Sequence, residues 1–117
     1  MTIAELAKDF TDLLKQGNDE AAASKYNADN IVSYEAMEGP MAVCEGKEAL
    51  KQKGDWWREN HEVHSVNVEG PFVNADQFAV RFKYDITQKQ TGKRITMDEV
   101  GVYTVKDDKV VAERFYY

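Results

Sequence analysis

The sequence predicts an α+β domain, on three observations. Apolar residues recur at helical spacing through most of the first sixty residues. From Glu62 onward they alternate with polar ones, as in half-buried strands. Two carboxylates, Glu99 and Glu113, interrupt the apolar stripes of the last two of those strands. Helices first and a long antiparallel meander afterwards place the helices on one face of a curved sheet.

The elements follow in order. Ile3, Leu6, Ala7, Phe10, Leu13 and Leu14 form one buried stripe of a helix over residues 2–16. Thr2 is its N-cap, Glu5 completes a capping box and Gly17 stops it. Asn18 or Asp19 caps a short second helix running to Lys25 or Tyr26. Asn27-Ala28-Asp29-Asn30 reads as turn, Ile31–Glu35 as a short strand, and Gly39-Pro40 as a break. A third helix spans about Gly46 to Asn60. Gly54 inside it costs about 1 kcal/mol relative to alanine and suggests close approach by a neighbouring element. Four strands follow: Val63–Glu69, closed by Gly70-Pro71, then Gln77–Thr87, Arg94–Val105 and Val110–Tyr117. Neither repeats nor linkers occur, so residues 1–117 read as one domain.

Composition narrows the function classes. With 43% hydrophobic and 31% charged residues, the 117-residue chain is globular rather than disordered. A net charge of −6 argues against binding nucleic acid or an anionic membrane surface. No apolar run is long enough to span a bilayer. The N-terminus lacks signal-peptide character, and the lone Cys44 suits a reducing compartment, so a cytoplasmic location is expected.

Four segments carry a resemblance. They are Gln16-Gly17-Asn18, Tyr26-Asn27-Ala28-Asp29-Asn30-Ile31-Val32, Gly46-Lys47-Glu48-Ala49-Leu50, and the turn-to-strand Lys109-Val110-Val111-Ala112-Glu113-Arg114. In this order the chain resembles the nuclear transport factor 2-like superfamily, and within it SnoaL-like proteins, relatives of polyketide cyclases and ketosteroid isomerase. The resemblance implies a cystatin-like cone, three N-terminal helices on a strongly curved, mostly antiparallel sheet, with an apolar pocket between them. It also implies a homodimer built on the outer sheet face. The isomerase relatives carry a tyrosine, a carboxylate base and a carboxylic acid at positions that fall on Phe10, Tyr34 and Gly101. All three groups are missing, and a one-residue slip would bring only Glu35 into play. Ketosteroid isomerase chemistry is therefore not expected.

Other residues carry the candidate chemistry. Strand alternation puts Glu99 with Met97, Tyr103 and Val105, and Glu113 with Val111, Phe115 and Tyr117. Carboxylates among aromatics indicate a partly dry pocket, since desolvating an unpartnered charge is costly. His64 shares parity with Val66 and Val68 and is expected to face the core, where an imidazole opposite carboxylates transfers protons near neutral pH. The catalytic candidates are therefore His64, Glu99 and Glu113; a purely structural salt-bridge network is the alternative. Tyr34 and Tyr103 are candidate hydrogen-bond donors. Trp56, Trp57, Phe82, Tyr84, Phe115 and Tyr117 are candidate pocket walls. The two tryptophans lie about 100° apart on their helix, so only one can be fully inside.

His61-Glu62-Val63-His64 is not the zinc signature, whose histidines lie four apart on a helix. Three apart on a strand they face opposite sides, so no metal site is expected. Cys44 lies near a helix start without a histidine close in sequence, which leaves it a small residue rather than a nucleophile. Neither a Gly-rich phosphate loop nor a nucleophile elbow occurs, and no cofactor is expected. Arg81, Lys83, Asp85 and Thr87 occupy the opposite strand face as a solvated or dimer-forming surface.

Two readings follow. One is a domain that binds a small, largely apolar cyclic organic molecule, with proton transfer, hydration or cyclisation as its chemistry. The other is a non-catalytic association module whose pocket is filled by its own side chains.

Overall fold

A computed structural model describes residues 1–117. Three helices, α1 (Ile3–Lys15), α2 (Asp19–Tyr26) and α3 (Lys47–Asn60), pack on a six-stranded sheet. The strands are β1 (Asn27–Tyr34), β2 (Val43–Glu45), β3 (His61–Asn74), β4 (Gln77–Gln88), β5 (Lys93–Lys106) and β6 (Lys109–Tyr116). Their order is β2-β1-β6-β5-β4-β3, all antiparallel except the β1–β6 pair. Pairing first and last strands in parallel closes one end of the sheet, while the β3–β6 meander forms the rest.

Helix α1 forms as its sequence dictates. Thr2 Oγ1 accepts from the Glu5 N–H at 3.2 Å and the Glu5 carboxylate accepts from the Thr2 N–H at 3.0 Å. Its buried stripe of Leu6, Ala7, Phe10 and Leu14 meets Phe78, Val80 and Phe82 of β4, with Tyr26, Ile31, Tyr103 and Val110 completing the core. The face carrying Phe78, Val80, Phe82 and Tyr103 is the inner face of the sheet.

Four local expectations change. The Asn27–Asn30 stretch is strand rather than turn: Asn27 pairs with Val110, and after a register shift the ladder resumes at Val32 opposite Ala112, so tertiary pairing overrides turn propensity. Strand β2 is an addition, too short to show a period. Strand β3 continues through the cis Gly70-Pro71 peptide instead of ending there. It lies at the sheet edge, where a residue without an N–H is tolerated, and it bulges between Glu69 and Phe72. Glycine is required at that bulge: Gly70 has φ 131°, and a Cβ would lie 3.0 Å from the Ala79 carbonyl oxygen. Gly54 meets no neighbouring element; a Cβ there would touch only Arg58 of its own helix, at 3.3 Å.

A second bulge in β3 has the larger consequence. Val63 pairs with Ile86 but Ser65 pairs with Asp85, so His64 is the inserted residue and parity is broken between it and Val66.

Candidate functional site

The sheet register gathers polar side chains on the inner face. Parallel pairing sets Ser33 of β1 beside Glu113 of β6, and antiparallel pairing sets Glu113 opposite Tyr103 of β5. Two residues along, Gly101 faces Phe115, and beyond it Glu99 faces Phe82 of β4. Buried Ser33, Phe82 and Tyr103 mark this row as core-facing.

Helix α3 supplies the cation. Leu50, Lys53 and Trp57 share one helical face, and Lys53 reaches the open end of β1. Its Nζ lies 2.6 Å from Glu35 Oε1, donates to Ser33 Oγ at 2.7 Å, and stands 5.3 Å from the centre of the Phe115 ring. Ser33 stands beside Glu113 in the β1–β6 register, where its hydroxyl favours the ionised carboxylate. The Tyr117 hydroxyl donates to Glu35 Oε2 at 3.1 Å. One ammonium thus serves a group containing three carboxylates, Glu35, Glu99 and Glu113.

That imbalance sets the electrostatics. Burial pushes the Glu99 carboxyl up to about 7, with the charges of Glu35 and Glu113 adding to the rise and Lys53 opposing it. Burial also raises Glu113, against the Ser33 hydrogen bond and Lys53, which favour its ionised form. The hydroxyls of Tyr84 and Tyr103 are pushed up by burial and by nearby carboxylates, so both remain protonated donors. A carboxyl balanced near neutrality can give or accept a proton under ordinary conditions.

Not every predicted site residue lies here. His64 is a correction: the bulge turns it outward, where its Nε2 lies 2.6 Å from Thr87 Oγ1 on the exposed face, away from both glutamates. Tyr34 is a second correction. It has the opposite parity to buried Ser33 and lies on the outer face, with the Arg114 guanidinium 4.1 Å above its ring. Trp56 is 45% exposed, and Trp57 stacks on His61 at 4.6 Å while leaning on Tyr84 at 5.5 Å. Phe82 and Tyr103 are core residues; Tyr84 and Phe115 are half-buried; Tyr117 lies at the rim. No group of three His, Cys, Asp or Glu side chains is arranged to hold a metal ion.

Sequence reasoning missed Lys53 and Ser33 and gave Glu35 only a secondary place. Signals existed for both: Lys53 shares the stripe of Leu50 and Trp57, and Ser33 shares the parity of Ile31.

Two surface grooves lie elsewhere. One, of about 480 Å³, is lined mainly by outer-face residues including Ser65, Asn67, Lys83, Asp85 and Asp98. The other, of about 240 Å³, lies between Tyr34, Gln77, Val102, Thr104, Arg114 and Tyr116. The charges on the outer face are paired and solvated. Arg81 holds Asp98 with bonds of 3.0 and 2.6 Å, and Arg94 holds Asp85 at 2.9 and 2.8 Å. Exposed pairs of this kind carry little energy.

The SnoaL-like domain model matches residues 1–117. The chain belongs to the SnoaL-like family. A Mesorhizobium loti protein, provisionally described as a SnoaL-like polyketide cyclase with carbohydrate phosphatase as a second description, is 72% identical. Its solved structure matches over all of both chains with a TM-score of 0.98. A Xanthomonas campestris protein of unknown function with a cystatin-like fold matches at TM-score 0.80 and 13% identity, over 99% of this chain and 90% of its own. A Burkholderia xenovorans NTF2-like protein matches at TM-score 0.73 and 23% identity, over 97% and 86%. These two likenesses confirm the α+β cone of the SnoaL-like domain. No curated protein matches the chain.

Proposed function

We propose that this SnoaL-like domain binds a small, largely apolar cyclic organic molecule at the inner cluster and moves a proton on it, with Glu99 as the acid or base. One observation carries the reading: Glu99 is a half-buried carboxyl raised to about 7, among aromatics and beside an ammonium. As carboxylate, Glu99 takes a proton from a carbon next to an electron-withdrawing group; as carboxylic acid, it returns that proton at a neighbouring atom. Glu113 and Glu35 tune its affinity through their charges, and Lys53 limits the rise. Trp57, Tyr84 and Phe115 supply apolar contact area.

Phosphate chemistry suits the cluster less well. Three carboxylates against one ammonium repel a phosphate dianion, which argues for a neutral ligand. Dimerisation through the outer sheet face belongs to the same proposal, since no helix covers that face.

The test is proton exchange on cyclic enolisable ketones in D2O, followed by NMR. The protein should accelerate loss of the protons beside the carbonyl, with a pH dependence governed by a group near 7. Glu99→Gln should remove at least about a hundredfold of that rate. A variant that retains the full rate overturns the assignment.

The non-catalytic module is the second reading, favoured by the outer-face position of both grooves. It requires that no cyclic ketone exchanges faster with protein than without it.

A further inference from the structure

Arg114 stands apart from the paired charges of the outer face. The other three arginines, Arg58, Arg81 and Arg94, each hold a carboxylate at 2.9 Å or less. Arg114 has no carboxylate partner; its guanidinium lies 4.1 Å above the Tyr34 ring instead. The ring attracts the charge but accepts no strong hydrogen bond, so the five N–H donors of the fork are left for water or a ligand. In a chain with 21 acidic residues, an unclaimed guanidinium points to an acceptor from outside.

The groove of about 240 Å³ opens beside this guanidinium. Two cross-strand rows build it. Val102, Arg114 and Tyr34 pair across β5, β6 and β1, and Gln77, Thr104 and Ala112 pair across β4, β5 and β6. Val102 and Ala112 are short apolar residues among longer ones and form the floor. Tyr116, two residues along β6 from Arg114 and on the same face, adds an aromatic wall. At the far end Gln77 Nε2 donates to Thr104 Oγ1 at 3.1 Å. That bond leaves the Thr104 O–H free to donate and Gln77 Oε1 free to accept. No carboxylate lines the groove.

We propose that this groove is a second ligand site, which takes a single-ring aromatic acid bearing a hydroxyl opposite its carboxylate. The carboxylate meets the Arg114 fork in the charge-assisted geometry that a guanidinium favours. The ring lies on Val102 and Ala112 beside Tyr116, and the hydroxyl reaches Gln77 and Thr104. The dimensions fit. Tyr34 and Thr104 are two strand spacings apart, about 10 Å, which one ring with a hydrogen bond at each end can bridge. A volume of about 240 Å³ falls below the ~300–1,000 Å³ of drug-sized sites and suits one ring rather than a fused system. The site is separate from the inner cluster, because Tyr34 and Arg114 have the opposite parity to Ser33 and Glu113. Nothing in the proton transfer at Glu99 depends on it.

The experiment uses the full chain, with 4-hydroxybenzoate as probe. Benzoate lacks its hydroxyl and 4-hydroxybenzamide lacks its charge. Affinity is read by calorimetry at low salt, and position by NOE contacts from the probe ring. Wild type should bind 4-hydroxybenzoate more tightly than either counterpart, with contacts to the Val102 and Ala112 methyl groups. Arg114→Gln should weaken 4-hydroxybenzoate about tenfold and 4-hydroxybenzamide less than about twofold. Thr104→Val should weaken 4-hydroxybenzoate about threefold and spare benzoate. Ala112→Leu, verified as folded by circular dichroism, should fill the floor and abolish binding of all three. Absence of 4-hydroxybenzoate binding to wild type overturns the proposal. So do ring contacts to Phe82 or Phe115 on the inner face, or an Arg114→Gln variant with wild-type affinity.

Discussion

Lys53 Nζ lies 2.6 Å from Glu35 Oε1, so the ammonium of the inner cluster is engaged by a carboxylate before any ligand arrives. The pair joins α3 to the end of β1. It matters because α3 has no buried residue and relies on half-buried contacts to stay on the sheet.

Removing that ammonium should therefore act on both stability and charge. Lys53→Met leaves Glu35 with only the Tyr117 hydroxyl and Ser33 without a donor. A loss of about 1–3 kcal/mol is expected in urea denaturation. Glu99 and Glu113 should also titrate higher by carboxyl NMR, because Lys53 is what holds them down. Unchanged carboxyl titrations would show that Lys53 does not govern the cluster.

Glu99 gives the stability a pH dependence of unusual sign. Its folded value, about 7, lies above the ordinary 4.5, so between these values the native state binds more protons than the unfolded one. Stability from this group is present below pH 4.5 and lost as pH rises through about 7. The loss is up to about 3 kcal/mol. Glu99→Gln should thus raise the melting temperature at pH 8 relative to wild type and much less at pH 4. Equal shifts at both pH values would contradict the assignment.

His64 provides a negative control. It sits on the outer face, bonded to Thr87. His64→Ala should change stability by less than about 0.5 kcal/mol and leave the Glu99 titration where it was. A moved Glu99 titration would mean that the imidazole reaches the cluster after all.

The C-terminal aromatics are structural. Phe115 and Tyr116 pair with Gly101 and Val100 in the middle of the sheet, and Tyr117 closes on Glu35. Deleting residues 115–117 should lower the melting temperature by more than about 5 °C. A superimposable melting curve would show that β6 ends before Phe115.

Periodicity made the fold legible wherever a strand or helix runs without interruption. Strand β4 and the first part of β5 keep strict alternation, so Glu99 could be placed on the face of Phe82 and Tyr103 from parity alone. His64 could not, because a bulge adds one residue without any glycine or proline at that point to announce it. Tyr34 was misplaced by its aromatic character, although its parity with Val32 already set it opposite Ile31 and Ser33. Lys53 escaped notice because a lysine in a helix ordinarily extends to solvent. Only the curl of β1 brings Glu35 within its reach, and that is a tertiary fact.

The outer face predicts an association. Phe72, Ala79 and Val102 form one cross-strand row there, next to Val100 and Tyr116. Phe72 is 60% and Tyr116 53% exposed, and no helix covers them. A row of this kind favours burial against a second copy, related by a two-fold axis so that each patch meets itself. Light scattering at micromolar concentration should give twice the 13.3 kDa chain mass. Arg114 lies beside this row, over Tyr34. Arg114→Glu would bring a carboxylate from each copy towards the shared surface, and the two-fold axis doubles the penalty. That variant should run as a monomer while its Glu99 still titrates near 7, since the inner cluster lies on the other side of the sheet. Wild type that scatters as a monomer throughout, or an Arg114→Glu protein that remains dimeric, would remove this face as the interface.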